Sequence, residues 1–525
     1  MANLAHYLTY FNSFQLPLVL SVLGLVCTLY IWSRPNESRR LPPGPKGLPF
    51  LGNIFQITQF QWLQFTEWKK EFGPIFSLNF AGQPVIVLNS HEVVGDLLDR
   101  RSAIYSSRPR FIMASEILTG GMFIPLQPYG ETWRRMRKAA HEGLNTRAAE
   151  TYQPLQEVEA ATLVSGLMKE PEAWEDHIKR SAASSVKMSV YGSQPIESKD
   201  DPLVRRVNSL VTRVALACLP GAYMVEIFPV MLHLPKWLAP WKRDGLEWHR
   251  KDTAMLQEFM DGVRKEVDQG TNKPSFASNL YLNADRHQLS PMQESWLAGT
   301  MFAGGSDTTS AALSFFILAM RLYPDVMKKA QAQIDTVVGR DRLPTFADRE
   351  NLPYIRAIVK EVLRWRPVGP LGLPRRTTQD DYYNGYFIPK GALIIANVWA
   401  MNRDPEVFPD FDEFRPERFL DESGTVDVVP PNTHTQGHVT FGFGRRICVG
   451  MNIANQALFI DVASLLSAAS IEPAFDSEGK IIVPSRSECI DEGLVVRPVP
   501  FQCKIVPRAI NVDSMLSIAR GKLAQ

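Results

Sequence analysis

The sequence predicts a mainly helical fold with a small β region. Three observations point there. Long stretches rich in Leu, Ala, Lys and Glu carry apolar residues at helical spacing, as in Ser290 to Leu322 and Pro324 to Val338. Strand signals are few and short. No linker divides residues 53–510, so they form one unit.

The chain has 525 residues, 45% of them hydrophobic and 21% charged, which is ordinary for a globular protein. A formal charge of +2 gives no basic field for nucleic acid. The five cysteines, Cys27, Cys218, Cys448, Cys489 and Cys503, are widely spaced and never form C-x-x-C. A disulfide framework and a zinc site are both disfavoured.

The first element is "FQLPLVLSVLGLVCTLYIW", Phe14 to Trp32. Its 19 uncharged residues approach the roughly 20 that cross a bilayer as a helix. Arg34, Arg39, Arg40 and Lys46 follow abruptly, and no Lys or Arg precedes it. The positive-inside rule then places the rest of the chain in the cytosol. A retained anchor over residues 1–33 fits better than a cleaved signal peptide, because a basic leading region and a small-x-small cleavage site are missing. The Asn36-Glu37-Ser38 sequon then lies on the unglycosylated side.

Residues 34–52 form a hinge. "LPPGPKGLPFLGN", Leu41 to Asn53, holds four prolines and three glycines and reads as a stiff connector. "PIFSLNFAGQPVIVLN", Pro74 to Asn89, reads as two strands around an Ala81-Gly82 turn. "DYYNGYFIPKGALIIANVWAMN", Asp381 to Asn402, reads as a second hairpin around Asn384-Gly385. The small sheet is expected near the N-terminal side. Residues 511–525 read as a loose tail.

Chemistry concentrates in "FGFGRRICVG", Phe441 to Gly450. A cysteine that stays a thiolate needs positive potential. Arg445 and Arg446 supply some. Helical spacing from Asn452 to Leu466 places Cys448 at a helix N-terminus, where the dipole and free N–H groups favour an anion. Gly442, Gly444 and Gly450 let the backbone approach a large group, and Phe441 and Phe443 add flat apolar surface. Haem b suits this set, with Cys448 as axial iron ligand and Arg446 on a propionate. A Gly-rich turn with an incidental cysteine, or a free nucleophilic cysteine, are the alternatives.

Phe441, Gly444, Arg446, Cys448 and Gly450 fit F-x-x-G-x-R-x-C-x-G at every fixed position. In this the chain resembles the cytochrome P450 superfamily, of microsomal type. Three further stretches extend the resemblance. In "KEVLRWRP", Glu361 and Arg364 share a helix face at i,i+3; on their own they would read as a surface pair. With Arg418 of "FRPERF" they resemble the family's E-x-x-R and P-E-R-F motifs, which implies a buried charge network bracing the cysteine loop. "AGGSDTTSAAL", Ala303 to Leu313, puts two glycines inside a helix at roughly 1 kcal/mol each relative to alanine. Close helix packing is one explanation. The resemblance implies another, a helix locally opened for O2, with Thr308 hydrogen-bonding oxygen and Asp307 relaying protons through water. "ETWRRMRKAAHEGL", Glu131 to Leu144, reads as a basic helix. The W-x-x-x-R motif maps onto Trp133 and Arg137 as propionate donors. Arg375 of "GLPRRT" is another such partner, where many relatives carry His.

The resemblance spans the whole chain, and the cadence of "GYFIPKGALIIANVWAMNRDP" is similar to fungal members. It implies a haem-thiolate monooxygenase of the endoplasmic reticulum membrane. No G-x-G-x-x-G follows a strand, so electrons would come from a separate NADPH-dependent reductase. That partner would meet Arg134, Arg135, Lys138 and Arg445. Four segments map to substrate-recognition regions, Arg110 to Leu126, Val214 to Leu238, Val368 to Pro374 and Glu492 to Pro498. Their sparse charge implies an apolar substrate. Fungal cadence points to secondary metabolism, a terpenoid first, then an aromatic, indole or polyketide scaffold, or a xenobiotic. An isomerase or dehydratase that needs no reductase is the rival reading, disfavoured by the Asp307–Thr308 pair. A non-catalytic haem carrier is another.

Overall fold

The computed structural model describes residues 40–508, except 220 and 432, together with Ser514 and Ser517. The expected anchor and nearly all of the tail lie outside the described residues. Among the described residues no single helix is long and apolar enough to cross a membrane.

The longer helices are α1 (Gln61–Phe72), α2 (Glu131–Leu144), α3 (Gln153–Lys169), α4 (Trp174–Tyr191), α5 (Pro202–Ala217), α6 (Pro240–Asp268), α7 (Pro291–Leu322), α8 (Pro324–Val337), α9 (Pro353–Trp365) and α10 (Met451–Ala468). Local signals set their starts. Ser290 and Gln293 cap α7 reciprocally, and Pro291 occupies its first position, where a missing N–H costs nothing. α7 is apolar on nearly every face and runs through the middle of the body. Its first half packs with α4, α6 and the region around Trp133, its second with α9 and α10.

The strands are β1 (Ile75–Phe80), β2 (Gln83–Leu88), β3 (Arg375–Arg376), β4 (Asp381–Tyr383), β5 (Tyr386–Ile388), β6 (Leu393–Ala396), β7 (Ala469–Phe475), β8 (Ile481–Ile482), β9 (Cys489–Asp491), β10 (Val496–Pro498) and β11 (Cys503–Pro507). The main sheet has order β1-β2-β6-β3. The expected first hairpin forms, with Ala81 at φ 49° and Gly82 at φ 91°, as a tight two-residue turn demands.

Two expectations are corrected. The second hairpin ends at Ile388, not Asn402. Pro389 interrupts the ladder, Gly391 at φ 84° turns the chain, and β6 leaves to pair in parallel with β2. Asn397 then caps a short helix, Val398–Asn402, by accepting from Ala400 N–H. The β region is also not confined to the N-terminal side. β7, β8 and β11 form a C-terminal sheet, and β9 pairs with β10. β7 starts directly after α10 without Gly or Pro to mark the change.

The proline-rich stretch is docked onto the body. Ser77 N–H and Oγ donate to the Pro43 and Pro42 carbonyls. A Cβ on Gly44 would sit 1.9 Å from the Ser77 carbonyl oxygen, so only glycine lets the two backbones meet.

Candidate haem-thiolate site

Cys448 lies three residues ahead of α10, one turn earlier than helical spacing predicts the helix itself to begin. Its N–H donates to the Phe441 carbonyl at 2.8 Å, closing the loop. The backbone N–H groups of Gly450 and Met451 point at its sulfur, and Arg137 of α2 lies close enough to favour the thiolate. Burial opposes these and pushes the thiol upward overall. Cys448 is nevertheless accessible although it lies deep among protein atoms, so the residue's free surface faces an interior space.

Arg446 stacks over the Trp133 ring at 4.2 Å and donates to the Ser106 and Gln127 carbonyls at 2.7 and 2.8 Å. Arg375 donates to the Phe443 carbonyl at 2.7 Å, while its Nη1 is buried with no partner. Arg108, which sequence reasoning missed, donates to the carbonyls of Pro125, Leu373 and Pro374. Burial pushes Arg446 down to about 9 and Arg375 to about 10, and lowers Arg108 and Arg137. Arg446 and Arg375 each add repulsion at Arg108. Among the described residues no carboxylate forms an ion pair with any of the four. Such a cluster is unfavourable unless an anion joins it. The two propionates of haem fit it, and the N–H groups and Arg137 directed at the Cys448 sulfur fit a sulfur ligand to haem iron.

Gly304 and Gly305 differ in purpose. A Cβ on Gly305 would meet Val186 of α4 at 2.9 Å, so glycine there permits close helix contact. Gly304 is exposed between buried Ala303 and half-buried Gly305, and a Cβ there would meet nothing within 4 Å. The opening therefore lies in side-chain space. The expected unwinding is absent: α7 is a continuous α-helix through residues 303–313. Thr308 Oγ1 donates to the Gly304 carbonyl at 2.7 Å, one turn back.

Glu361 accepts from Arg364 Nε and Nη2 at 2.6 and 2.8 Å, from Arg418 Nε at 3.1 Å and from Arg415 N–H at 2.8 Å. Arg364 Nη1 donates to the Asn402 carbonyl. Asn402 in turn holds Val439 N–H at 3.0 Å and Thr440 Oγ1 at 2.9 Å, immediately before Phe441. The predicted network is thus assembled, and Asn402, again missed in the sequence, carries it to the cysteine loop.

A cytochrome P450 profile matches residues 42–505. The chain is 61% identical to cytochrome P450 monooxygenase 58 of Postia placenta, over 91% of this chain and 90% of the relative. It is 52% identical to a cytochrome P450 monooxygenase of Armillaria gallica, over 92% and 93%. Against cytochrome P450 monooxygenase iboC of Amanita muscaria the figures are 37%, 94% and 96%.

This chain belongs to the cytochrome P450 family.

As a P450 monooxygenase it brings the four predicted substrate segments together. Glu226 accepts from Ile112 and Met113 N–H at 3.0 and 2.7 Å. Val496 N–H donates to the Val368 carbonyl at 2.9 Å, and Gly493 lies against the Ala215 carbonyl. The fourth segment is less apolar in effect than in sequence. Arg497 of β10 ion-pairs with Asp307, donates to Ser310 Oγ at 3.1 Å and pairs with Glu492 at 2.6 Å. Asp307 is raised by burial first, with Arg497 opposing. An expected water-linked relay through Asp307 therefore requires this contact to open. A cation among apolar residues, five positions after a glutamate, is the signal that could have flagged Arg497. His141 of α2, one turn after Arg137, is exposed.

Proposed function

We propose that this P450 inserts one atom of O2 into a C–H or C=C bond of an apolar small molecule. The observation that carries the reading is a cluster of four carboxylate-free arginines, Arg108 and Arg375 buried and Arg137 and Arg446 half-buried, beside an accessible cysteine. Haem, when bound, supplies oxygen activation with electrons from a separate NADPH-dependent reductase. The chain's own residues do the rest. Arg108, Arg137, Arg375 and Arg446 neutralise the propionates. The N–H groups of Gly450 and Met451 hold the sulfur as an anion. Thr308 Oγ1 and Asp307, beside the opening at Gly304, hold and pass protons. A reductase would dock over Arg134, Arg135, Lys138 and Arg445.

The substrate we propose is a secondary metabolite, a terpenoid scaffold first. The apolar walls of the four joined segments and the similarity to fungal P450 monooxygenases support this. We also propose that the body sits on the endoplasmic reticulum membrane through an anchor at Phe14 to Trp32. Exposed Phe50 and Phe55 (each 74%), Val230 (73%) and Trp237 (77%) support a membrane-facing surface.

The test is expression in a reductase-bearing host. Purified protein should give the reduced carbon-monoxide band of sulfur-ligated haem, and Cys448→Ala should abolish it. Products from a panel of terpenoid, aromatic, indole and polyketide substrates should be NADPH-dependent and richest for terpenoids. Turnover without reductase would overturn the monooxygenase reading. A preference for another scaffold would overturn the substrate assignment alone.

A further inference from the structure

The cysteine loop is held from a second side, by a stretch absent from every motif above. Gly95–Arg100 winds as a π-helix, a rare form enriched at functional positions. It presents Asp99 to the loop. Asp99 Oδ1 accepts from Gly444 N–H at 2.6 Å, and Oδ2 meets His434 Nε2 at 2.9 Å. Gly444 has φ 51°, and a Cβ there would lie 2.1 Å from the Leu98 carbonyl oxygen. The loop is thus pressed on the π-helix so closely that only glycine fits. His434 itself has φ 58°, and its ring stands edge-on to Phe443 at 5.7 Å. A left-handed non-glycine residue costs free energy and persists only where its surroundings fix it.

We propose that Asp99 is a positioning residue for the haem loop: its carboxylate bridges Gly444 N–H and the His434 imidazole, fixing the turn that aims Cys448. The clamp is independent of the Glu361 network. That network grips the chain at Val439 and Thr440, whereas Asp99 grips it at His434 and Gly444. Arg375, through the Phe443 carbonyl, joins from the propionate side. Removing Asp99 frees the Gly444 amide and the His434 ring together and lets the sulfur drift from its donors.

The experiment compares Asp99→Ala, Asp99→Asn, His434→Ala and Asp96→Ala in the full chain. Asp96 lies in the same π-helix but pairs with Tyr383 and Arg100, away from the loop. Hydrogen exchange over residues 434–447, measured by mass spectrometry, should rise about tenfold in Asp99→Ala, roughly the loss of one strong charge-assisted hydrogen bond. His434→Ala should show a smaller rise. Asp99→Asn keeps an acceptor for Gly444 and a donor for His434, and should stay within about twofold of the parent. Asp96→Ala should leave the segment unchanged. On warming, the sulfur-ligated carbon-monoxide band should decay fastest in Asp99→Ala. Equal exchange in Asp99→Ala and Asp96→Ala would refute the clamp, as would an Asp99→Asn variant as loose as Asp99→Ala. Should Asp99→Ala not fold, His434→Ala against Asp96→Ala decides by the same criterion. The spectroscopic arm rests on reading Cys448 as the haem ligand, and the exchange arm does not, so the two can fail separately.

Discussion

Replacing Glu361 by glutamine tests the brace on the cysteine loop. Glu361 and Arg364 have no exposed side-chain surface, and Arg418 has only 5%. Glu361→Gln removes the single anion that both guanidiniums share and weakens four hydrogen bonds. Two buried cations are left uncompensated. Breaking such a pair costs about 3–5 kcal/mol. An exposed pair offers the control: Arg486–Glu413, whose carboxylate is 53% exposed, should cost less than about 1 kcal/mol in Glu413→Gln. The assay is denaturant unfolding followed by circular dichroism. A melting temperature alone would mislead. Unfolding entropy of about 2 cal/mol/K per residue makes the slope near 1 kcal/mol/K for a body of this size. The loss then shifts the midpoint by only about 3–5 °C. The carbon-monoxide band supplies the local readout, because Arg364 reaches Val439 and Thr440 through Asn402. The brace is refuted if Glu361→Gln costs no more than Glu413→Gln and the band survives unchanged.

Further predictions concern single side chains. Gly304→Ala should gain up to about 1 kcal/mol, since it adds helix propensity and its Cβ meets nothing. Gly305→Ala should lose stability instead, through overpacking of about 1–3 kcal/mol against Val186; paired denaturant curves check both. Thr308→Ala should keep the haem spectrum yet divert electrons from product to peroxide, measured as NADPH consumed per product. Unchanged coupling would remove Thr308 from proton transfer. Asp461 of α10 is buried and raised well above the ordinary carboxyl range, by burial first and then by Glu159, with Arg180 opposing. A raised folded-state pKa means stability present at low pH and lost as pH climbs above the unfolded carboxyl range. Asp461→Asn cannot ionise. Its gain over the parent should grow as pH climbs above the unfolded carboxyl range, by up to about 1.4 kcal/mol per pH unit, and a flat difference would contradict a neutral Asp461.

Much of this protein was written in local chemistry. Helix starts followed from caps such as Ser290 with Gln293, and the two tight turns from Ala81-Gly82 and Asn384-Gly385. The cysteine loop was legible because glycines, arginines and a helix start crowd into ten residues, and Glu361, Arg364 and Arg418 because their spacing matches known motifs. Contacts between distant segments were not legible. Asn402, Arg108, Asp99 and Arg497 are polar residues in unremarkable local settings, and each becomes meaningful only where folding sets it against a carbonyl, an amide or a carboxylate from a separate segment of the chain. Tertiary packing also overrode local reading. α7 stays helical through two glycines and two threonines because buried apolar neighbours hold it, and β6 leaves its expected hairpin because a longer partner strand satisfies its backbone. Spacing along the chain encodes short-range geometry, whereas pairing a buried charge or closing a sheet depends on burial that only the folded whole creates.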